Sequence, residues 1–516
     1  MSSAGWADRP IVLSTFDLPD AAALMVHSCE DCACPVGEAG GGRALTPVAA
    51  GMMTDESAWM RGQEVTETRL DSRHWQLFNP VGHGGVVVLN EAAFAIFAGF
   101  KEPVVIRAAR AAAGAAAGAG AASERDGAAF DEVCQRLAAL GMIHPVGEVQ
   151  RPQFAPATVL TAWLHVTNAC NLRCPYCYIS KSNDGMTESV WRSSIAAVMR
   201  SAQSNGFEGV KLKYAGGEAS LHSRHLLTMH EYAKGLAGEL GLNLQATLLS
   251  NGVSLPSALV QMLKAEQIRV MISLDGVGDQ HDVQRPFVNG RPSFRFVDAT
   301  IGKLLERGHP PHLSITITSR NARGVPEVVR YALDRQLSFS LNFFRDNDCA
   351  ATFDDLQYEE RDMISALLET FEVIRQDMPN WSVLGSILDR GQLLEPRQHS
   401  CGVGHDYVVI DQNGKVAKCH MEIERTLGDV FRDDPLDLVR RDTTTTLNLL
   451  VDEKEGCRDC RWRYWCSGGC SVATFRATGR YDVKSPNCNI YKAIYPQALQ
   501  LEGLRILKYG LVPAGY

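Results

Sequence analysis

The sequence predicts an α/β protein whose central part is an open, partial (β/α)6 TIM barrel. From Thr158 onward, short apolar runs rich in β-branched residues alternate with longer stretches of helical periodicity, the pattern of βα units around a parallel sheet. The six predicted strands cover about residues 160–167, 210–214, 244–250, 270–274, 313–318 and 339–343. Sites in parallel barrels form where loops follow the carboxyl ends of strands, so we expect the chemistry there.

Length and composition limit the class of protein. A chain of 516 residues suggests three or four domains, and 45% hydrophobic with 21% charged residues excludes a wholly disordered, collagen-like or coiled-coil protein. The net charge of −8 argues against a nucleic-acid partner. Neither a secretion signal nor a membrane span is predicted, so we expect a soluble cytoplasmic protein in which clustered cysteines serve metals or catalysis.

The regions around the barrel, which we assign to residues 155–345, differ in composition. Residues 1–70 are interpreted as a poorly defined extension that contains Cys29, Cys32 and Cys34. These cysteines either bind a metal or a sulfur intermediate or, as the simpler interpretation, lie in an unstructured tail. Residues 71–150 predict a small strand-plus-helix module in which residues 108–127 are a flexible Ala/Gly insertion and Cys134 belongs to the core. Residues 346–400 predict a helical connector, and residues 401–516 are rich in cysteine.

Three cysteines follow the first predicted strand. Cys170, Cys174 and Cys177 are spaced Cys-x3-Cys-x2-Cys and precede an aromatic residue. Thiolates bind zinc or iron–sulfur clusters, but a structural zinc site would require a fourth ligand, and nearby His165 lies on the strand. The pattern resembles the radical S-adenosylmethionine (SAM) superfamily. The resemblance implies a [4Fe–4S] cluster whose open iron binds SAM.

Turns after the next strands extend the resemblance. Gly216 and Gly217 would allow a ligand to approach closely, and the carboxylate of Glu218 would accept from an ammonium group. In the family this motif holds the amino group of SAM, although Gly-Gly-Glu alone is often an ordinary turn. Asn251 resembles the ribose-contacting turn, and Ser273 ends the fourth strand.

The segment after the fourth strand resembles peptide-modifying members of the family. It contains His281, Asp282 and Arg285. For Arg285, a structural salt bridge is an equally good interpretation.

The C-terminal quarter holds a second cysteine pattern. A hairpin with Asn413-Gly414 at its turn is predicted between the first two of seven cysteines. The set resembles the SPASM domain, which carries two auxiliary clusters, whereas zinc knuckles are the alternative. By that resemblance the first cluster is bound by Cys401, Cys419 and Cys470, and the second by Cys457, Cys460, Cys466 and Cys488.

The first auxiliary set is one ligand short. Residues 390–400 contain no cysteine, although fully ligated relatives have one upstream of the position of Cys401. We expect Cys349, in the loop after the sixth strand, to complete the set. The alternative is an open iron that binds a substrate thiolate.

Within the N-terminal module, residues 74–146 include the segments VVVLNEAAFAIF (86–97) and LAALGMIHP (137–145). These segments resemble the recognition element of ribosomal peptide pathways, a winged-helix-like fold. In that family the module binds a leader peptide as an added β-strand, and a mere packing domain is the alternative. Together the resemblances imply a peptide maturase with three [4Fe–4S] clusters, SAM, a precursor peptide and an external reductant such as flavodoxin or ferredoxin. Radical hydrogen abstraction would precede an oxidative cross-link, although epimerisation begins in the same way.

Two other functions stay open. Sulfatase maturation to formylglycine uses the same motifs, but those relatives have Asp where His420 follows Cys419, and they lack a leader-binding module. A noncatalytic iron–sulfur carrier or peptide chaperone would have no use for Gly216, Gly217 and Glu218. Cleavage of SAM by the reduced protein separates these classes.

Overall fold

The computed structural model describes residues 9–18, 53–82, 85–116 and 124–510. Cys29, Cys32 and Cys34 lie outside these residues. Across the described ranges, every helix is too short or too polar to span a membrane.

The N-terminal part forms two small antiparallel sheets and three helices. One sheet has the order β1-β5-β4-β3 and the other β6-β2-β7. The elements are β1 (Val12–Ser14), β2 (Ala58–Arg61), β3 (Thr66–Arg69), β4 (His74–Phe78), β5 (Val87–Asn90), α1 (Glu91–Ala98), β6 (Val104–Val105), α2 (Ile106–Ala116), α3 (Glu124–Ala139) and β7 (Ile143–Pro145).

Two features of this part differ from the prediction. Strands β1, β2 and β3 lie before residue 71, in the stretch that was expected to be poorly defined. The first half of the expected flexible insertion is helix α2, because alanine is the strongest helix former. Cys134 is fully buried in the core between α1 and α3, as predicted.

The centre is the predicted partial barrel of six parallel strands. Each strand pairs with the next in the chain, and helices cover the outer face. The elements are β8 (Val159–Thr167), α4 (Glu188–Ser204), β9 (Gly209–Gly216), α5 (Ser223–Leu240), β10 (Asn243–Ser250), α6 (Ser257–Ala265), β11 (Arg269–Ser273), α7 (Asp279–Gln284), α8 (Phe294–Glu306), β12 (His312–Ile317), α9 (Val325–Asp334) and β13 (Phe339–Phe343). Thr187 caps α4 by accepting from the Val190 N–H.

The connector is less helical than predicted. Its one α-helix in the described chain is α10 (Glu360–Gln376), and residues 377–406 form irregular structure. Pro379, Gly385, Gly391 and Pro396 interrupt the periodicity there, because proline and glycine disfavour helix interiors.

The C-terminal part continues the barrel sheet. β14 (Tyr407–Ile410) pairs parallel with β8, so that Val409 lies beside Trp163. The predicted hairpin then joins β14 to β15 (Lys415–Ala417), with Gly414 in the left-handed region at φ +79°, and β16 (Thr426–Asp429) completes nine strands. The helices are α11 (Pro435–Arg441), α12 (Arg463–Cys466), α13 (Ser471–Thr478) and α14 (Cys488–Gly510).

The N-terminal sheet packs against this C-terminal part. The indole N–H of Trp465 donates to the Pro80 carbonyl at 3.0 Å, and the ring of Phe78 contacts Trp462 and Trp465. Helix α14 also contacts β1, β4 and β5. The two parts therefore share buried apolar surface.

Candidate active site

A pocket with a cavity volume of about 210 Å³ opens at the carboxyl ends of the barrel strands. This location is where parallel barrels place their ligand sites. The predicted site residues that line it are Cys170, Cys174, Cys177, Gly216, Gly217, Asn251, Ser273 and Arg285. The structure therefore brings residues from four separate strand ends into one cavity.

The three cysteines lie on one loop directly after β8. The Cys170 sulfur accepts from the Leu172 N–H at 3.4 Å, and the Lys181 ammonium donates to the Cys177 sulfur at 3.1 Å. Burial raises the pKa of Cys174 to about 12. Burial alone would lower the pKa of Lys181, but the neighbouring Cys177 and Cys170 raise it overall. Lys181 therefore supplies positive charge that favours thiolates in this loop.

The two glycines are required by the protein backbone itself. A Cβ on Gly216, whose φ is +150°, would lie 2.4 Å from the Thr167 carbonyl oxygen, and one on Gly217 would lie 2.3 Å from that of Ala169. Sequence reasoning attributed the glycines to ligand approach. Their lack of a side chain instead lets this turn hydrogen-bond to the end of β8, directly before Cys170.

The carboxylate of Glu218 lies behind the pocket wall. It is 2% exposed and accepts from the Ser250 hydroxyl at 2.9 Å, from the Asn251 N–H at 2.6 Å and from the Ser220 N–H at 3.1 Å. These three hydrogen bonds make Glu218 a positioning residue for Asn251. A carboxylate has about four acceptor positions, so contact of Glu218 with the SAM ammonium stays a prediction.

Asn251 connects this network to the cysteine loop. Its side-chain N–H donates to the side-chain oxygen of Asn171 at 2.7 Å, and the same nitrogen lies 3.8 Å from the Cys170 sulfur. The side-chain oxygen of Asn251 accepts from the Val253 N–H at 3.0 Å. Asn251 thus orients the turn after β10 against the loop that carries Cys170.

A buried charged network lies on the opposite side of the cysteine loop. Asp275 is fully buried and contacts the hydroxyl of Tyr176 and the guanidinium of Arg285, the latter at 3.4 Å. Its other oxygen accepts from the Thr316 N–H at 2.9 Å. Arg285 therefore forms a salt bridge with Asp275 and also lines the pocket. Asp282 accepts from the Ser293 and Phe294 N–H groups at the start of α8.

The first auxiliary cysteines converge beside the same pocket. Cys401, Cys419 and Cys470 pack on one apolar cluster between β14, β15 and α13. Burial opposes ionisation of Cys470, but Arg345 and Arg390 lower its pKa below the ordinary value. Both arginines also line the central pocket. The pocket thus extends from the first cysteine loop to the cations around this second cysteine set.

The remaining C-terminal cysteines form a separate set. Burial, together with the nearby thiols of Cys457, Cys460 and Cys488, raises the pKa of Cys466 to about 12. In the sequence, Trp462 and Trp465 stand between Cys460 and Cys466. Both rings contact Phe78 of the N-terminal sheet. This set is therefore next to the N-terminal part.

Cys349 contacts the first cysteine loop. It is exposed, and its thiol donates to the Tyr178 carbonyl at 3.4 Å. The charged groups that act on it are Cys177, Glu424, Asp348 and Lys181, around the first cysteine loop. Its role as a ligand of the first auxiliary set stays a prediction.

The thiol groups fit iron–sulfur clusters better than single metal ions. Within the described ranges, no three His, Cys, Asp or Glu side chains converge as a mononuclear site requires. Thiolates of a cubane bind different iron atoms and so do not meet at one point. The two sets of three thiols match a cubane cluster that keeps one iron open, whereas a set of four thiols suits either a cluster or zinc.

Several pocket residues were missed by sequence reasoning. Lys181, Arg345 and Arg390 line the cavity as single cations without a spacing pattern, and only the position of Lys181 shortly after Cys177 was a usable signal. Trp163 on β8 stacks on His420 with ring centroids 4.7 Å apart. Burial lowers the pKa of His420, so this ring is neutral.

Comparisons with known proteins agree with this geometry. Residues 164–330 match the family model described as the radical SAM superfamily. The chain is 23% identical over 340 residues to the cysteine-type anaerobic sulfatase-maturating enzyme of Clostridium perfringens, covering 59% of this chain and 86% of that enzyme. It is 30% identical over 171 residues to the sporulation killing factor maturation protein SkfB of Bacillus subtilis, covering 33% and 38%.

The structure of anSMEcpe with bound AdoMet and Cp18Cys peptide has a similar fold. The TM-score is 0.54 at 18% identity, covering 67% of this chain and 99% of that one. The chain spans less than two thirds of some relatives, 38% of SkfB and 61% of a protein from Methanocaldococcus jannaschii. Residues 164–330 thus match the radical SAM superfamily model, and the chain is similar to maturases of peptides and sulfatases.

Proposed function

We propose that the protein is a radical SAM oxidoreductase that modifies a ribosomally made precursor peptide in the cytoplasm. The observation that carries the proposal is the continuous pocket between the Cys170 loop and the cations beside the first auxiliary cysteines. A substrate in this pocket would contact both sites at once. Hydrogen abstraction and oxidative closure of a thioether, carbon–carbon or carbon–oxygen ring would then take place in one cavity.

Three [4Fe–4S] clusters are part of the proposal. Cys170, Cys174 and Cys177 would hold the first, and the two C-terminal sets, arranged as a SPASM domain, would hold the auxiliary pair. When bound and reduced by a flavodoxin or ferredoxin, they supply the 5′-deoxyadenosyl radical from SAM and an acceptor for the electron released on ring closure. The first auxiliary set would hold its cluster with three thiolates, and either Cys349 or a substrate thiolate would be the fourth ligand.

The chain's own residues hold and shield the reacting groups. The Asp275 network fixes the cysteine loop from one side, and the Glu218 network fixes it through Asn251 from the other. Trp163 and His420 stack on each other at the pocket wall, where their rings would exclude water. Such positioning is what radical chemistry requires, since an unpositioned radical attacks its nearest neighbour.

The N-terminal module, residues 71–150 with the strands that precede it, would bind the leader of the precursor. Leader binding would raise the local concentration of the core peptide at the pocket. Support comes from the small sheets with free edges and from the module's contact with Trp465. Deleting the module would expose Trp462 and Trp465, so point changes at strand edges test this role better.

The test of the enzyme class is cleavage of SAM. We expect the Cys170→Ala, Cys174→Ala, Cys177→Ala triple variant to lose all 5′-deoxyadenosine formation and about a third of its iron. The matched control is Cys349→Ala, which should keep both because its thiol contacts only the Tyr178 carbonyl. Cleavage by the triple variant would refute the assignment of the catalytic cluster.

Sulfatase maturation is the second candidate function. The alignment that covers 86% of the Clostridium perfringens enzyme favours it. Incubation with a cysteine-containing sulfatase peptide distinguishes the two candidates. We expect no aldehyde that reacts with a hydrazide probe, whereas formylglycine in the product would establish the second function.

A further inference from the structure

Residues 9–18 add a strand to the edge of the four-stranded N-terminal sheet. Val12 pairs with Leu89, Leu13 with Val88 and Ser14 with Val87. Without β1, strand β5 would be the edge of this sheet, because β4 is its only other partner there. An open edge of this kind is where extended peptides bind by strand addition.

The main chain of this segment is held by a side chain as well as by the ladder. The Asn90 side-chain oxygen accepts from the Ile11 N–H at 2.9 Å, and its amide donates to the Arg9 carbonyl at 2.9 Å. The same oxygen accepts from the Ala93 N–H and so caps α1. Asn90 therefore binds backbone groups, which any extended peptide would supply.

The side chains of the segment define which peptides fit. Phe16 packs against the module core, and Leu13 and Leu18 pack against the larger core that contains α14. Asp17 forms an ion pair with Arg136 of α3, and Arg9 forms one with Glu132 at 3.2 Å. Apolar pockets and a cation thus alternate along this edge.

The opposite edge of the same sheet is a poorer site. Strand β3 presents the exposed residues Glu67, Thr68 and Arg69, and Glu67 is paired with Arg61. It offers backbone groups but no apolar pocket. The β5 edge offers both backbone groups and apolar contacts, so we expect an extended peptide to bind at this edge.

We propose that residues 9–18 occupy, within the chain, the edge where this module binds the leader of its peptide substrate, and that the leader replaces them on β5. The inference rests on the proposed function. The occupant gives the chemistry of the partner, a segment that is extended at the positions of Val12–Ser14 and turns at those of Thr15–Asp17. It carries apolar residues placed like Leu13, Phe16 and Leu18 and a carboxylate placed like Asp17. A tethered occupant competes at a local concentration of about millimolar, so it weakens leader binding until it is displaced.

The test uses the segment itself as the probe. A protease site is inserted between residues 30 and 40 of the full, reconstituted chain, the protein is cleaved, and a fluorescein-labelled peptide of residues 9–18 is added. We expect anisotropy to show binding to the cleaved protein at least tenfold tighter than to the uncleaved protein. A second form that lacks residues 1–18, with iron content and circular dichroism retained, should bind the probe equally well.

Charge reversal supplies the specificity control. An Arg136→Glu protein should reject the probe and bind the Asp17→Lys probe, which a purely structural strand would not do. Absence of probe exchange after cleavage would overturn the inference, because the strand would then be a permanent part of the fold. Equal binding to cleaved and uncleaved protein would also overturn it, since the probe would use another surface.

Cleavage of SAM is measured in the same preparations. Formation of 5′-deoxyadenosine without probe exchange refutes the occupied-edge inference and leaves the proposed function standing. Probe exchange without SAM cleavage supports the occupied edge and refutes the proposed function. The two failures are therefore distinguishable.

Discussion

Glu218 provides the sharpest test of how the pocket is built, and Glu218→Gln is the variant that isolates it. The substitution preserves the size of the side chain, but it replaces one carboxylate oxygen with an NH2 group. The hydrogens of this group then face a buried donor, either the Ser250 hydroxyl or the Asn251 N–H. A buried donor left without an acceptor costs about 1–3 kcal/mol. Taking about 2 kcal/mol, a barrel of this size should lose about 4–8 °C in melting temperature.

The assay is a thermal melt of the protein without SAM, followed by calorimetric titration with SAM. Ser250→Ala removes one donor and should lower the melting temperature by about half as much. Exposed Glu239→Gln on α5 is the matched control, with a change within about 0.5 kcal/mol. A direct ammonium contact would give the reverse pattern, an unchanged melt and a loss of SAM affinity of about ten- to one-hundredfold. That result would refute the positioning role.

Two further predictions concern the C-terminal part. Burial raises the pKa of Asp406 to about 7, whereas an unfolded aspartate titrates near 3.9, so the native state should lose stability as pH rises from about 4 to about 7. Asp406→Asn should therefore gain stability relative to the wild type between pH 5 and pH 8 in thermal melts, and an equal difference at both pH values would contradict this. Trp465→Phe removes the hydrogen bond to Pro80, worth about 1 kcal/mol, and amide exchange in residues 74–82 should accelerate about fivefold. Unchanged exchange there would show that the bond does not hold the module.

The barrel could be predicted closely because its strands are buried on both faces. Apolar runs bounded by turns give boundaries within two residues of those observed, as in β13 (Phe339–Phe343). The strands of the N-terminal part were harder, because they are short and their partners are distant. Val12 pairs with Leu89, and no local pattern in the sequence indicates that pairing.

The candidate site divides in the same way. Thiols at fixed spacings identified both cysteine sets, whereas Arg345 and Arg390 are single residues whose position depends on the folded connector. Cys349 lay at the correct end of the barrel. Nothing in the sequence specified which neighbouring loop it would approach, and it contacts Tyr178.

The parallel pairing of β14 with β8 explains how two distant cysteine motifs share one cavity. Backbone hydrogen bonds set Val409 beside Trp163, and the Thr161 N–H donates to the Asp406 carbonyl at 2.9 Å. The first cysteine loop follows β8, and Cys419 follows the hairpin that begins with β14. Because one sheet carries both, their separation is fixed by strand register and not by a flexible linker. Adaptation to different substrates then falls to the pocket side chains and to the module that presents the peptide.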